Sequence, residues 1–207
     1  MGAGQAATSD VLRRVGPTVA AAPLTYGWLA LLFGTTRIQR SASARKRREL
    51  LREQSTNIVQ LRRRPLRALL TSLLWLDGRR WWPYVPVFAA VLGPAERVQG
   101  RPRYLGTGIA AHVIGTAASQ ALLARSIARG DEPRKLAHAH DIGVSYFALG
   151  VGGGLCGYLP TSWRVGTQLA AATAVAVAVR SRADFTATGH CVAFLVGTLV
   201  PARRVTP

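Results

Sequence analysis

The sequence predicts an all-α protein that crosses a membrane six times. Of its 207 residues, 49% are hydrophobic and only 17% are charged, and the charges form blocks between long apolar stretches, a composition typical of membrane proteins. The formal net charge is +18, which in a soluble chain would indicate a nucleic-acid partner. Here the basic residues flank apolar segments, where each contributes about 1 kcal/mol of attraction to an anionic surface. We therefore expect anionic lipid headgroups, and no nucleic acid, as a partner.

The first transmembrane helix is expected at residues 17–36, after an N-terminal tail of residues 1–16. Its apolar run extends from Pro17 to Gly34 and, at about 1.5 Å per residue, nearly spans the hydrocarbon core. Arg13 and Arg14 precede the run as in a signal peptide, but no convincing small-residue cleavage site follows it. The segment is therefore interpreted as a retained helix.

Residues 37–81 are expected to form a basic amphipathic loop with an interfacial segment. Arg45-Lys46-Arg47-Arg48 is followed by apolar residues at helical spacing, which favours an amphipathic helix over residues 37–67 rather than a solvated loop. On the membrane surface this helix would contact anionic headgroups, and Pro65 would break it. The apolar stretch from Leu66 to Asp77 is too short to cross and is interpreted as interfacial or re-entrant. Three tryptophans are expected at headgroup depth: Trp75, Trp81 and Trp82.

Residues 82–200 are expected to supply the remaining five helices of the membrane core, followed by a C-terminal tail of residues 201–207. The five spans are expected at residues 82–93, 104–124, 141–159, 163–179 and 184–200. The span at 104–124 is rich in Gly, Ala, Ser and Thr, which allow close helix contact and predict a central position. The span at 141–159 contains two glycine pairs at the spacing that brings helix backbones together, Gly150 with Gly154 and Gly153 with Gly157.

The histidines and cysteines in these segments are potential metal ligands. His112 is interpreted as a histidine hydrogen-bonded to a neighbouring helix rather than as a catalytic group. His138, His140 and Asp141 form a candidate metal cluster, although no further His or Cys nearby completes a ligand set. Cys156 and Cys191 lie in apolar segments without metal-ligand spacing and are interpreted as packing residues. No metal and no cofactor is expected.

Ser145 and His190 form the candidate catalytic pair. Each enters an apolar segment, where a polar side chain is tolerated mainly when it faces protein or a wet cavity. Two crossings separate the two spans, so they run in the same direction, and the two residues lie at depths that differ by about 3 Å. Small residues leave the face of His190 almost without side-chain bulk, so the helices can approach closely: Gly189, Ala193 and Gly197.

Such a pair can perform nucleophilic catalysis. His190 would take the proton from Ser145 Oγ as the oxygen attacks a carbonyl, and would then return it to the leaving amine. Ser145 lies in the first turn of its helix, where backbone dipoles favour a developing oxyanion. Gly143 and Val144, which precede it, are the candidate oxyanion and turn support. The alternative is that both motifs serve helix packing alone.

The sequence resembles the rhomboid family of intramembrane serine proteases over about residues 54–200, and more closely a bacterial group of rhomboid-like membrane proteins. Rhomboids carry Gly-x-Ser-Gly at the start of the fourth helix, and Gly143-Val144-Ser145 stands at that place. They carry a His with small residues at +3 and +7 in the sixth helix, where this chain has His190, Ala193 and Gly197.

Two further stretches are similar to the family. Glu96-Arg97, followed by Gly100, is similar to the exit from the second helix, and Ser55-Thr56-Asn57 with Arg64-Pro65 looks like the start of the first loop. The resemblance implies a six-transmembrane-helix rhomboid-like bundle in the bacterial plasma membrane. It also implies a catalytic site in a water-filled cavity a short way below the membrane surface.

The chain departs from the family pattern at its site. Family proteases normally bind the oxyanion with His-x-x-x-Asn in the second helix, and the second span here contains neither residue. Tyr146 stands in place of the Gly after the nucleophile, and Ala193 in place of another Gly. Loss of one oxyanion donor can lower the rate by about 10² to 10³. Replacement of Tyr146 by Gly is expected to raise activity or leave it unchanged.

Two main classes of function follow from these residues. The first is an intramembrane serine protease that cleaves membrane-anchored substrates with a Ser145–His190 dyad. The second is a catalytically inactive rhomboid-fold protein that binds transmembrane helices and alters their stability or assembly. A channel or transporter that uses His112 and His138 is a third alternative.

The orientation in the membrane is open at this point. The resemblance places the N-terminus in the cytoplasm and the basic loop outside, whereas the positive-inside rule predicts the reverse.

Overall fold

The described residues, 18–78, 80–180 and 184–202 of a computed structural model, form helices and turns and contain no β-strand. The expected all-α class is therefore confirmed. The expected N-terminal tail, residues 1–16, lies outside the described residues, as do residues 203–207 of the expected C-terminal tail.

The first helix, α1, spans Pro23–Ser41 and follows a helical turn at residues 18–21. Pro23 lies in its first turn, where an N–H group would have no intrahelical partner. The N–H groups of Leu24 and Thr25 donate to the buried carboxylate of Glu96 over 3.1 and 2.8 Å. The helix continues past the expected end at residue 36, and near its C-terminal end the Gln39 amide donates to the Leu76 carbonyl over 3.1 Å.

The basic loop contains three short helices: α2 at Ala44–Gln54, α3 at Ile58–Arg63 and α4 at Pro65–Ser72. The amphipathic helix expected over residues 37–67 is therefore divided. It breaks at residues 55–57 because Ser55 and Thr56 bond to the distant backbone of Asp141. Asn57 then caps α3 by accepting from the N–H of Gln60 over 3.0 Å.

Residues 82–99 form one continuous helical segment of changing geometry. A 3-10 turn at Trp82–Tyr84 leads through α5, Val85–Val87, and a π-helical turn at Phe88–Leu92 into α6, Gly93–Gln99. Pro94 cannot donate to the carbonyl of Ala90, and its ring crowds that carbonyl, which accounts for the wide turn before it. Gly100 ends the segment with a φ of +75°, which glycine adopts without strain.

Three helices form the centre of the bundle: α7 at Arg101–Arg129, α8 at Val144–Leu155 and α10 at Phe185–Thr198. The central position expected for α7 is observed, because its small residues Gly108, Ala111 and Gly115 lie against α8 or α10. The remaining helix, α9 at Thr161–Arg180, packs mainly on α10 and leaves much of its apolar surface exposed.

An aromatic cluster joins α8 to α1, α7 and the segment 82–99. Trp28 of α1 contacts Phe147 and Phe88 with centroid separations of 4.8 and 5.1 Å, and Tyr104 of α7 contacts Phe147 at 5.4 Å. The indole N–H of Trp28 also donates to the Leu73 carbonyl over 2.7 Å. The cluster therefore packs the face of α8 that carries Phe147 against α1 and α7.

Membrane-spanning character is clearest in α7. By length and composition, it is the one helix of the described ranges that is long and apolar enough to cross a membrane, and α10 is a shorter apolar helix. In chain order, the six expected spans correspond to α1, residues 82–99, α7, α8, α9 and α10.

Candidate active site

The backbone just before α8 is tied to the basic loop. The Asp141 carbonyl accepts from the Thr56 N–H and the Thr56 hydroxyl, both at 2.9 Å. The Ser55 hydroxyl donates to the same carbonyl over 3.0 Å and accepts from the Asp141 N–H over 2.6 Å. These bonds fix the chain a few residues before Ser145.

Gly143, two residues before Ser145, is held by two further elements. Its N–H donates to the Ser72 carbonyl of α4 over 3.2 Å. The ring of His112 packs so closely on it that a Cβ at this position would collide with the ring. His112 is buried, and its Nε2 lies 3.0 Å from the Leu69 carbonyl and 3.3 Å from the Ser72 hydroxyl. The hydrogen-bonded arrangement expected for His112 is thus the one observed: the partners of its Nε2 are in α4, and its Nδ1 lies 3.4 Å from the Thr116 hydroxyl of its own helix.

Ser145 and His190 meet across α8 and α10. Ser145 Oγ lies 2.7 Å from Nε2 of His190, a hydrogen-bond distance. Both residues are partly exposed. With the ring proton on Nδ1, Nε2 accepts the hydrogen bond from the hydroxyl, which is the arrangement a general base requires.

Small residues allow this approach of the two helices. Gly197 packs on the backbone of Gly150, and a Cβ on Gly197 would lie 3.0 Å from the Gly150 Cα and closer still to its carbonyl group. Ala193 is fully buried. Gly189 allows α10 to approach α7 as well, because a Cβ there would lie 2.9 Å from the Gly115 carbonyl oxygen. The face predicted to lack bulk around His190 is therefore the contact face of α10.

An apolar groove of about 580 Å³ opens beside Ser145, between residues 82–92, α8 and α10. Its walls include Val87, Phe88 and Val91 from the segment 82–99 and Phe194 from α10. A cavity at the serine was expected from the resemblance, and the lining observed here is predominantly apolar.

Among the described residues that line the groove, the candidate donors for an oxyanion are backbone N–H groups at the start of α8 and the Tyr84 hydroxyl. Among the residues that line the groove, Tyr84 and Ser145 carry the polar side chains. The N–H groups of Val144, Ser145 and Tyr146 lie in the first turn of α8 and have no acceptor in the described part of the chain. The Gly143 N–H is occupied by Ser72, so Gly143 can support the turn but cannot donate to an oxyanion.

Tyr146, a neighbour of the pair, and Asp141, which lies four residues before Ser145 in the chain, were not predicted as catalytic-site residues. The ring of Tyr146 packs on the imidazole of His190 with a centroid separation of 4.9 Å. Asp141 is buried and accepts from the Gln120 amide over 2.7 Å. In the sequence, Tyr146 stands in place of a glycine of the family pattern and Asp141 is a candidate metal ligand, so neither position indicates these contacts. The one available signal was that Tyr146 adjoins Ser145 in the chain.

The other candidate ligands do not converge. His140 Nδ1 lies 3.9 Å from Asp77, whereas Asp141 faces Gln120, and His138 is exposed. Within the described ranges, no group of three or more His, Cys, Asp or Glu side chains could hold a metal ion. The two cysteines, Cys156 and Cys191, are partly buried free thiols.

Comparison with known proteins identifies the family. No curated protein and no solved structure matches the chain. A family model described as "Rhomboid-like protein" matches residues 18–204, which extends the resemblance noted over residues 54–200 to include α1. The matched region contains every helix from α1 to α10 and the Ser145–His190 contact. The chain therefore belongs to the rhomboid-like family of membrane proteins.

Proposed function

We propose that the protein is an intramembrane serine protease that hydrolyses a peptide bond of a membrane-anchored substrate. The observation that carries the proposal is the 2.7 Å hydrogen bond between Ser145 and His190 beside an apolar groove. An unassisted serine hydroxyl is a weak nucleophile at neutral pH, and an adjacent base activates it.

The chemistry follows from the positions of these two side chains. Ser145 Oγ attacks the carbonyl carbon while His190 Nε2 takes the hydroxyl proton. When the carbon–nitrogen bond breaks, His190 gives that proton to the leaving amine. A water molecule then attacks the acyl-enzyme, with its proton passing to Nε2, and the serine regains a proton as the acid leaves.

The oxyanion is stabilised by the start of α8. The free N–H groups of Val144 and Ser145 lie at the positive end of the helix dipole. They replace the side-chain donors that family proteases have in the second helix. Because one lost donor lowers the rate by about 10² to 10³, we expect slow turnover.

The groove favours apolar side chains of a substrate. Its walls are aliphatic and aromatic along the segment 82–99 and α10, and such a surface binds apolar groups through removal from water and through close packing. A peptide that lies in the groove presents a carbonyl to Ser145.

A noncatalytic role is the second candidate. The observation that favours it is the lack of side-chain donors on the segment 82–99, apart from Tyr84, along the groove. In that role the groove binds a transmembrane helix of a client protein without cleaving it, and the Ser145–His190 bond only joins α8 to α10.

We also propose that six helices span the bacterial plasma membrane and that the basic loop contacts anionic headgroups. On α2, the side chains of Arg45, Arg48 and Arg52 are exposed. On α4, Leu66 and Leu70 are 75% and 67% exposed. The two helices contact each other, and a surface that combines exposed arginines with exposed leucines is typical of helices that lie on a membrane.

A fluorophosphonate serine-hydrolase probe applied to membranes tests the catalytic proposal. Wild type should be labelled, and Ser145→Ala and His190→Ala should each reduce labelling to background. The double variant should lose no more than either single variant, because the residues act as one unit. Ser162→Ala, which removes an exposed serine of α9, is the matched control and should label as wild type does. Full labelling of Ser145→Ala, or a folded wild type without labelling, would favour the noncatalytic function.

A further inference from the structure

The imidazole of His190 is bordered by the ring of Tyr146. The two ring centroids lie 4.9 Å apart and the ring planes are inclined by 51°, within the range of favourable aromatic contacts. In the described part of the chain, the hydrogen bond of the imidazole is the 2.7 Å contact of Nε2 with Ser145. One ring nitrogen is thus held by α8 through Ser145, and the ring itself is held by α8 through Tyr146.

The helix that carries His190 contributes little to holding the ring. Gly189 precedes it, and Ala193 and Gly197 lie on its own face at i+3 and i+7. A catalytic histidine is normally oriented by a third group that accepts from its second ring nitrogen. Nδ1 of His190 has no such acceptor among the described residues. The orienting contact therefore has to come from another helix.

Tyr146 is packed firmly enough to provide that contact. Its side chain is fully buried, and it occupies space that two glycines leave open. A Cβ on Gly189 would lie 2.7 Å from Cε1 of the tyrosine, and a Cβ on Gly115 would lie 3.0 Å from its Cδ1. Any larger residue at either glycine would displace the ring.

The hydroxyl of Tyr146 is less tightly held than its ring. It lies beside Ser119 and the Asp141 carboxylate, but it forms no hydrogen bond of full geometry within the described ranges. The contact with His190 is made by the ring, so the ring is the part of the side chain that can orient the imidazole.

We propose that Tyr146 is a positioning residue, whose ring confines the His190 imidazole to the orientation in which Nε2 accepts the Ser145 proton. The inference rests on the proposed proteolytic function. It also reverses the expectation from the family pattern, in which Tyr146→Gly restores a missing glycine. In this structure, that substitution removes the contact that orients the base, so it lowers activity.

Two variants distinguish the contribution of the Tyr146 ring from that of its hydroxyl, and a third is a control for the loss of a buried aromatic side chain. Tyr146→Leu removes the ring, and Tyr146→Phe keeps it without the hydroxyl. Phe147→Leu removes a buried aromatic of the same helix that contacts Trp28 and Tyr104 instead of the histidine. Each variant is measured as the full chain in membranes or detergent micelles.

The first measurement is the rate constant of fluorophosphonate labelling at Ser145. Because a displacement of about 1 Å in a catalytic group can lower a rate by about 10², Tyr146→Leu should label about 10 to 100 times more slowly than wild type. Tyr146→Phe should stay within about threefold, and so should Phe147→Leu. Labelling of Tyr146→Leu at the wild-type rate would overturn the proposal.

The second measurement does not depend on enzymatic activity. Diethylpyrocarbonate modification of His190 is followed by mass spectrometry, with the exposed His138 of the same chain as reference. Release of the imidazole in Tyr146→Leu should raise the His190/His138 modification ratio several-fold, whereas Tyr146→Phe and Phe147→Leu should match wild type. An unchanged ratio in Tyr146→Leu, or an equal rise in Phe147→Leu, would refute the positioning role.

The two readouts also distinguish failure of the inference from failure of the proposed function. If wild type is not labelled by the probe, the protease function fails, and the modification ratio alone decides whether Tyr146 holds His190. If Tyr146→Leu does not fold, Tyr146→Met, which has no ring but a similar reach, is measured in its place with the same expected outcomes.

Discussion

Gly197→Ala is expected to separate α8 from α10 and so to disturb the Ser145–His190 contact. The added Cβ would overlap the Gly150 carbonyl group and lie 3.0 Å from the Gly150 Cα. These are backbone atoms of a buried helix, which cannot move aside as the end of a flexible side chain can. The two helices must therefore move apart by some tenths of an ångström or more.

The size of the effect follows from two opposing contributions. Overpacking of a close contact costs about 1 to 3 kcal/mol, and replacement of a helical glycine by alanine returns about 0.5 to 1 kcal/mol. We expect the free energy of unfolding to fall by about 1 kcal/mol, the difference between the midpoints of the two contributions, and probe labelling of Ser145 to fall about tenfold or more, because His190 moves with α10.

Gly166→Ala in α9 is the matched control. An alanine Cβ there would have no neighbouring atom within 4 Å, so only the favourable helix-propensity contribution of about 0.5 to 1 kcal/mol applies. Denaturation of both variants in detergent micelles, with probe labelling alongside, checks the pair. Equal stability and labelling of Gly197→Ala and Gly166→Ala would refute the close α8–α10 packing.

Two further predictions concern the first helix and the membrane orientation. Glu96→Ala should lower the free energy of unfolding by about 3 kcal/mol, because it leaves two N–H groups at the start of α1 without their carboxylate acceptor. Glu49→Ala, which removes an exposed carboxylate, is the control and should have little effect. Equal losses of stability in the two variants would contradict the role of Glu96 at the start of α1. We expect the basic loop to lie outside, as the family resemblance implies, so Ser43→Cys in a chain without Cys156 and Cys191 should react with an impermeant maleimide in intact cells. Labelling only after the cytoplasmic face is exposed would reverse this orientation.

The helical class and the family could be predicted from the sequence, whereas the course of the basic loop could not. Alternating apolar and basic blocks indicate helices at a membrane, and Pro65 correctly marks a break. The break at residues 55–57 depends on bonds from Ser55 and Thr56 to Asp141, which lies far along the chain. Local spacing carries no information about such a long-range partner.

At the site, the 2.7 Å contact of the Ser145 and His190 side chains could be predicted from the sequence. The depth of a residue and the size of its neighbours depend on one helix alone, so the spacing of residues in the sequence indicates both. The contact of Tyr146 with His190 requires the rotation of α8 relative to α10, which spacing does not determine. The family pattern predicts no such contact, because it has glycine, which carries no ring, at the position of Tyr146.

The two members of the pair are held in different ways. Ser145 follows a backbone that is tied to the basic loop at Asp141 and to α4 and His112 at Gly143. Several hydrogen bonds would have to break before Ser145 could move. His190 depends on α10, whose contacts with α8 are largely between small residues and backbone atoms. Helix contacts of this kind tolerate little change, so the geometry of the pair depends more on the packing of α10 than on any single hydrogen bond in the loop.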